Sequence, residues 1–123
     1  MVSFDEIGIM LDDIANELPE DFYRELNGGI TLLPDVRIHP ESGKSGDLYI
    51  LGEYHHDHLG RYINMYYGSF VILYKYLGPL RQKEELRRIL LHEFTHHLES
   101  LAGERGLEIK DIQNLERYKQ RFK

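Results

Sequence analysis

The sequence predicts an α+β domain: a small mixed β-sheet packed against one long histidine-bearing helix, with further helices near the N- and C-terminal ends. Three observations carry this. Apolar residues recur at helical spacing near both ends of the chain, the middle turns to short β-branched and aromatic runs, and no repeat or linker separates the two regimes. At 123 residues the chain is read as a single domain over 1–123, long enough to bury about two thirds of its unfolded surface.

Ser3 followed by Glu6 forms a capping box, and Phe4, Ile7, Leu11, Ile14 and Leu18 share one face, which predicts a first helix over about 4–17. Pro19, with Phe22, Tyr23 and Leu26 after it, predicts a second short helix that stops at Asn27-Gly28-Gly29. "GITLLPDVRIHP" is β-branched and broken by prolines, so it is a strand or two at a sheet edge. "PESGKSG" (40–46) has loop composition. "DLYILGEY" (47–54) alternates as a strand does, and "RYINMYYGSFVILYKY" (61–76) begins as another. That leaves "HHDHLG" (55–60) as their connection. Gly78-Pro79 closes the β region. A long helix is predicted from about Gln82 to Ala102, stopped by Gly103, and a last helix over about 107–121 that buries Ile109, Ile112 and Leu115.

Composition narrows the function. Hydrophobic residues at 41% and charged residues at 29% describe a soluble globular protein. No apolar run approaches the ~18 residues that span a bilayer. The acidic, amphipathic N-terminal stretch has neither a basic n-region nor a small-residue cleavage site, so a cytoplasmic location is expected and no membrane partner. Without cysteine, a metal must be held by His, Asp, Glu or backbone oxygen. A net charge of −6 argues against nucleic acid as a partner, because phosphate affinity comes from clustered Lys and Arg.

The chemistry concentrates in "LLHEFTHHLE" (90–99). His92-Glu93-Phe94-Thr95-His96 is H-E-x-x-H: two imidazoles one helical turn apart can share a tetrahedral metal, and the glutamate between them can act as general base on a metal-activated water. On a helical wheel Leu86, Leu90, Leu91, Phe94, Leu98 and Leu101 form one apolar arc. His92, His96, Glu99 and Glu85 lie opposite, with Ile89 and Glu93 at the border. His97 falls on the apolar arc and is read as a hydrogen-bonded histidine of the core or of the metal surroundings, not as a ligand. A catalytic zinc usually has three protein ligands. Glu99 lies about 10 Å along the axis from His92, so acids beyond the turn at Gly103 come into question too. Glu104 is placed first, then Glu99 and Glu108, with Asp111 further on. Manganese, cobalt, nickel or iron would suit the same donors as zinc.

With these residues in view, the chain resembles the small zincin-like metallopeptidases of bacteria, whose active-site helix carries H-E-x-x-H-H. The resemblance extends from "FDEIGIMLDDIANELPEDF" through "LYILGEY" and "RYINMYYGSF" to "EELRRILLHEFTHHLESLAGERGLE". It implies a minimal zincin-like α+β domain, one Zn2+ held by His92 and His96, Glu93 as catalytic base, and a peptide or protein substrate. Such proteins often place a third ligand three residues past the glycine that follows the helix; here that position is Gly106, which has no side chain to ligate with. A neighbouring acid takes its place, or two histidines and waters hold the metal, or catalysis has been lost.

Two further stretches have double readings. His55, His56, Asp57 and His58 form a second metal site or the wall of the first, where a histidine can stabilise an oxyanion, or else a polar turn. The aromatic strand is half-buried core, and Tyr66 or Tyr67 can also point into a cleft where an extended peptide adds to the sheet edge. "RQKEELRR" (81–88) is a solvated helix start with pairs such as Glu84–Arg88. Two functions are therefore expected in contest: a zinc-dependent metallopeptidase with Glu93 as general base, and a non-catalytic metal-binding or interaction domain that keeps the same fold.

Overall fold

The computed structural model describes residues 2–41, 48–105, 116–117 and 120. Within them the fold is α+β, as the sequence predicts. Helix α1 (Phe4–Glu17) starts on the expected capping box: the Ser3 hydroxyl accepts the Glu6 N–H at 3.1 Å, and the Glu6 carboxylate accepts the Ser3 N–H at 3.2 Å. It buries Ile7, Leu11 and Ile14. The short helix that follows is a single 3-10 turn, Glu20–Tyr23. It directs Phe22 and Tyr23 onto the Phe94 ring, with centroids 6.0 and 5.1 Å away.

Three strands form one sheet in the order β1 (Gly29–Leu33), β3 (Gly60–Tyr66), β2 (Gly52–Asp57). β1 runs parallel to β3 and β2 antiparallel, so the sheet is mixed and the prolines after Leu33 fall beyond an edge strand, as expected. The 55–60 connection is shorter than predicted. His55, His56 and Asp57 belong to β2, opposite Tyr62, Arg61 and Gly60, and only His58 and Leu59 make the turn. Gly60 adopts φ +105° there, a conformation that suits glycine.

The register assigns two faces. Ile30, Leu32, Tyr54, Ile63 and Met65 share the side packed on the helices, with Ile63 and Met65 buried. Thr31, Glu53, His55, Asp57, Tyr62, Asn64 and Tyr66 occupy the other side.

β3 ends at Tyr66, where the sequence suggested that strand character ran further. Residues Tyr67–Tyr74 form helix α2. Local preference for strand loses to tertiary context here: Gly68 sits so close to the Asp35 carbonyl that a Cβ would lie 2.7 Å from it. The buried Ser69 hydroxyl accepts the Arg37 N–H at 2.9 Å. The final described element, α3 (Pro79–Arg105), begins earlier than expected, at the first-turn proline, and passes through Gly103 without stopping. Of the predicted last helix, only 116–117 and 120 are described, and these are helical.

The core is a cluster in which α1 contributes Ile7, Leu11 and Ile14, β3 contributes Ile63 and Met65, and α3 contributes Leu86, Leu90, Phe94, Leu98 and Leu101. An ionic staple ties α1 to α3, with Arg87 on Glu17 at 2.9 Å and Lys83 between Glu17 and Asp13. Arg88 pairs with Glu85 at 2.8 Å, one position from the expected Glu84 partner. The long helix is thereby pinned to α1, and its border residues Ile89 and Glu93 lie against Gly52 of β2.

Candidate active site

All six residues of the apolar arc on α3 are buried, which turns His92 and His96 outward to solvent. Their Nε2 atoms stand 3.1 Å apart, with ring planes at 88°. Zinc–nitrogen bonds of about 2.05 Å at the tetrahedral angle require two donor nitrogens about 3.4 Å apart. The separation comes within a few tenths of an ångström of that spacing, and it is also that of a hydrogen bond from one ring to the other. No group of three or more His, Asp or Glu gathers for a metal among the described residues, so Glu99, exposed on the same helix, does not join the pair. The backbone of Glu104 lies in the last turn of α3, because the helix runs through Gly103; its side chain, like Glu108 and Asp111, lies outside the described residues.

Glu93 behaves differently from its neighbours on the wheel. It is only 6% exposed, wedged between α3 and β2. Gly52 makes the room: a Cβ there would approach the Glu93 Cγ to 3.2 Å. The Glu93 carboxylate accepts the backbone N–H of Tyr54, and burial raises its proton affinity above that of an ordinary glutamate. The charge of His96 and the Tyr54 N–H oppose that rise, while the neighbouring Glu53 charge adds to it. A carboxylate withdrawn from water, with the His96 charge near it and the Tyr54 N–H on it, is a candidate for proton transfer.

His97 is fully buried. Its Nε2 lies 2.7 Å from the Arg24 carbonyl and its Nδ1 2.9 Å from the Tyr54 hydroxyl. The carbonyl can only accept, so Nε2 carries the proton and Nδ1 accepts from Tyr54. Arg61, 4% exposed, donates to the Tyr54 hydroxyl at 2.8 Å and to Ser100 at 2.6 Å. Burial holds the His97 pKa below the ordinary histidine value, with the Arg61 charge acting in the same direction. Tyr54 thus joins both halves of the motif, its amide on Glu93 and its hydroxyl on His97.

On the other sheet face, the Tyr66 hydroxyl donates to Glu53 at 2.5 Å, and burial with this bond pushes its pKa up to about 12. Arg37 Nε lies 3.2 Å and His55 Nε2 3.5 Å from the same Glu53 oxygen. His55 stacks on Tyr62, whose hydroxyl donates to Asp57 at 2.8 Å. The Leu59 N–H and the Tyr62 hydroxyl, both donating to Asp57, hold its carboxyl below the usual range. His56 and His58 are exposed. The histidine run is therefore divided: His55 joins the Glu53 network, and His58 is part of a turn. Tyr67 points elsewhere, its hydroxyl on the Val2 carbonyl and its ring edge-on to Phe4.

The sequence had not singled out Gly52, Tyr54, Arg61, Glu53 or Arg37. A signal existed for two of them. Gly52 interrupts an alternating strand, a mark of close backbone approach, and Arg61 is in phase with the buried Ile63 and Met65.

Fold and site together define a small α+β protein with an H-E-x-x-H helix set against the edge strand of a mixed sheet. Among solved structures, a conserved hypothetical protein from T. thermophilus is similar: it is 32% identical, with a TM-score of 0.67, and the match covers 82% of this chain and 98% of that one. The chain belongs to the same family as that protein. No family model matches the sequence, and no curated protein does.

Proposed function

We propose that this protein is a zincin-like metal-dependent peptidase whose ligand pair is His92 and His96 and whose general base is Glu93. The observation that carries the reading is the combination on one helix turn: two exposed histidines with Nε2 atoms 3.1 Å apart and, next to His92 in sequence, a buried carboxylate. Bound zinc would supply Lewis acidity, which makes water nucleophilic near neutral pH. Everything else falls to the chain. Glu93, with its raised proton affinity, takes a proton from the attacking water and returns it to the leaving amine. The Tyr54 N–H keeps the carboxylate aimed between strand and helix. The edge of β2 beside Glu93 offers an extended peptide a place to lie.

The test is elemental analysis of the wild type, His96→Ala and Glu93→Gln after dialysis against a weak chelator, followed by a peptide-library cleavage assay. About one equivalent of zinc in the wild type and in Glu93→Gln, none in His96→Ala, and cleavage by the wild type alone are expected. Loss of the metal in Glu93→Gln would remove Glu93 from the role of base. A second reading, a metal-binding or interaction domain without turnover, is favoured by one observation: no third His, Asp or Glu joins the pair among the described residues. Metal retained without cleavage of any peptide would select it.

A further inference from the structure

A cavity of about 380 Å³ lies between the 35–40 segment, Ile50 and the β2 residue Glu53. Glu53 faces it from the sheet side opposite the one on which Gly52 contacts Glu93, so a peptide extended along the β2 edge would turn alternate side chains toward the candidate base and toward this cavity. One cation dominates its lining. Arg37 is fixed at three points: its N–H donates to the buried Ser69, its carbonyl accepts the Ile50 N–H at 2.8 Å, and its Nε pairs with Glu53 at 3.2 Å. Its guanidinium also lies 5.7 Å from the centre of the Tyr66 ring. The side chain is still 53% exposed, and among the described residues no partner bonds its two terminal nitrogens. Glu53, which holds the Nε, is itself bonded by the Tyr66 hydroxyl, so its charge is shared. The result is a planar donor fork whose stem is ordered in advance and whose tips face an open cavity. That geometry matches a carboxylate, which takes two parallel N–H bonds from arginine.

We propose that Arg37 reads a carboxylate on the substrate, so that the site prefers peptides with a free C-terminal carboxylate or an acidic side chain in the residue lying in this cavity. This rests on the peptidase reading above and gives it a substrate class. Pre-ordering matters because a side chain already held by Glu53 and Tyr66, on a backbone held by Ser69, loses little freedom on binding. Asp35 also lines the cavity, so a basic residue is the competing occupant and belongs in the test.

The probes are four peptides: acetyl-tetra-alanine as the free acid, the same peptide as its C-terminal amide, and two amides ending in Asp or Lys. Binding to the full-length Glu93→Gln protein, which leaves every probe intact, is followed by NMR on the Arg37 Nε–H signal and the Ile50 amide. The expected result is a shift of both signals and binding of at least one acidic probe about tenfold or more tighter than the neutral amide. The free acid winning assigns the α-carboxylate, the Asp amide winning assigns a side chain. In Arg37→Gln the advantage should vanish while the neutral amide binds as before, and Arg37→Lys, which keeps charge without the fork, should retain only part of it. Equal binding of all four probes, tightest binding of the Lys peptide, absence of binding, or a preference that survives in Arg37→Gln would each overturn the proposal. Cleavage by the wild type is scored separately. Carboxylate preference without turnover leaves the pocket standing and the peptidase reading refuted, and turnover without preference does the reverse.

Discussion

Replacing Gly52 with alanine tests whether the strand and the candidate base are as tightly joined as the geometry indicates. Two effects compete. Gly52 has no positive φ, so alanine there should gain about 0.4–1 kcal/mol by restricting the unfolded chain. Against this, the new Cβ would meet Met65 Sδ at 3.1 Å, Glu93 Cγ at 3.2 Å and Ile89 Cγ2 at 3.3 Å. All three side chains are buried, and the strand cannot retreat without stretching the 3.0 Å bond from the Tyr66 N–H to the Leu51 carbonyl. Overpacking of this kind costs about 1–3 kcal/mol. Packing therefore wins, and a net loss of about 1–2 kcal/mol is expected, or about 3–5 °C in Tm for each kcal/mol in a chain of this size. Urea and thermal unfolding followed by circular dichroism at pH 7 measure it. The same substitution in a Glu93→Ala background, where the Cγ contact is gone, should cost about a third less, which a double-mutant cycle resolves. Gly52→Ala as stable as the wild type, or an equal cost in both backgrounds, would refute the packing argument.

Gly103→Ala should do the opposite, gaining about 0.5–1 kcal/mol in the same unfolding assay, because the position is helical and, among the described residues, a Cβ there meets nothing within 4 Å. Tyr66 should remain un-ionised in an ultraviolet titration until pH about 12, while exposed tyrosines ionise near 10. Because the folded value is the higher one, its stabilisation is present below the unfolded pKa of about 10 and is lost as pH rises through about 12; in Tyr66→Phe the alkaline fall in stability should be smaller. His97→Ala leaves the Arg24 carbonyl and the Tyr54 hydroxyl short of a buried partner and opens a cavity, a loss of about 2–4 kcal/mol by urea unfolding at pH 7. The depressed His97 pKa makes its contribution fully present above the ordinary histidine value and lost as pH falls through the folded one, so the gap between wild type and variant should narrow in acid.

The helices at the N-terminal end and in the motif were legible because their signals are local. A capping box, a 3.6-residue period and an apolar arc specify α1 and most of α3 without reference to anything distant. The turn from β3 into α2 was not legible, because it is decided by Asp35, Val36 and Arg37 closing over Gly68 and Ser69, more than thirty residues away in sequence. Gly103 misled for a related reason. Glycine ends a helix when the chain must turn there, and on its own it costs the helix only about 1 kcal/mol, which a long packed helix tolerates.

For the site, periodicity separated three histidines that composition alone would have grouped. On one helix, a shift of a single residue takes an imidazole from solvent at His96 to full burial at His97. What no spacing rule can reach is the second element. The Tyr54 N–H on Glu93, the gap at Gly52 and the Tyr54 hydroxyl on His97 all depend on the register of an edge strand against the helix. That strand fixes both the position and the proton affinity of the candidate base, because without it Glu93 would face water like His92 and titrate as an ordinary glutamate. The motif thus specifies which groups are present on α3, and β2 determines which of them is withdrawn from solvent.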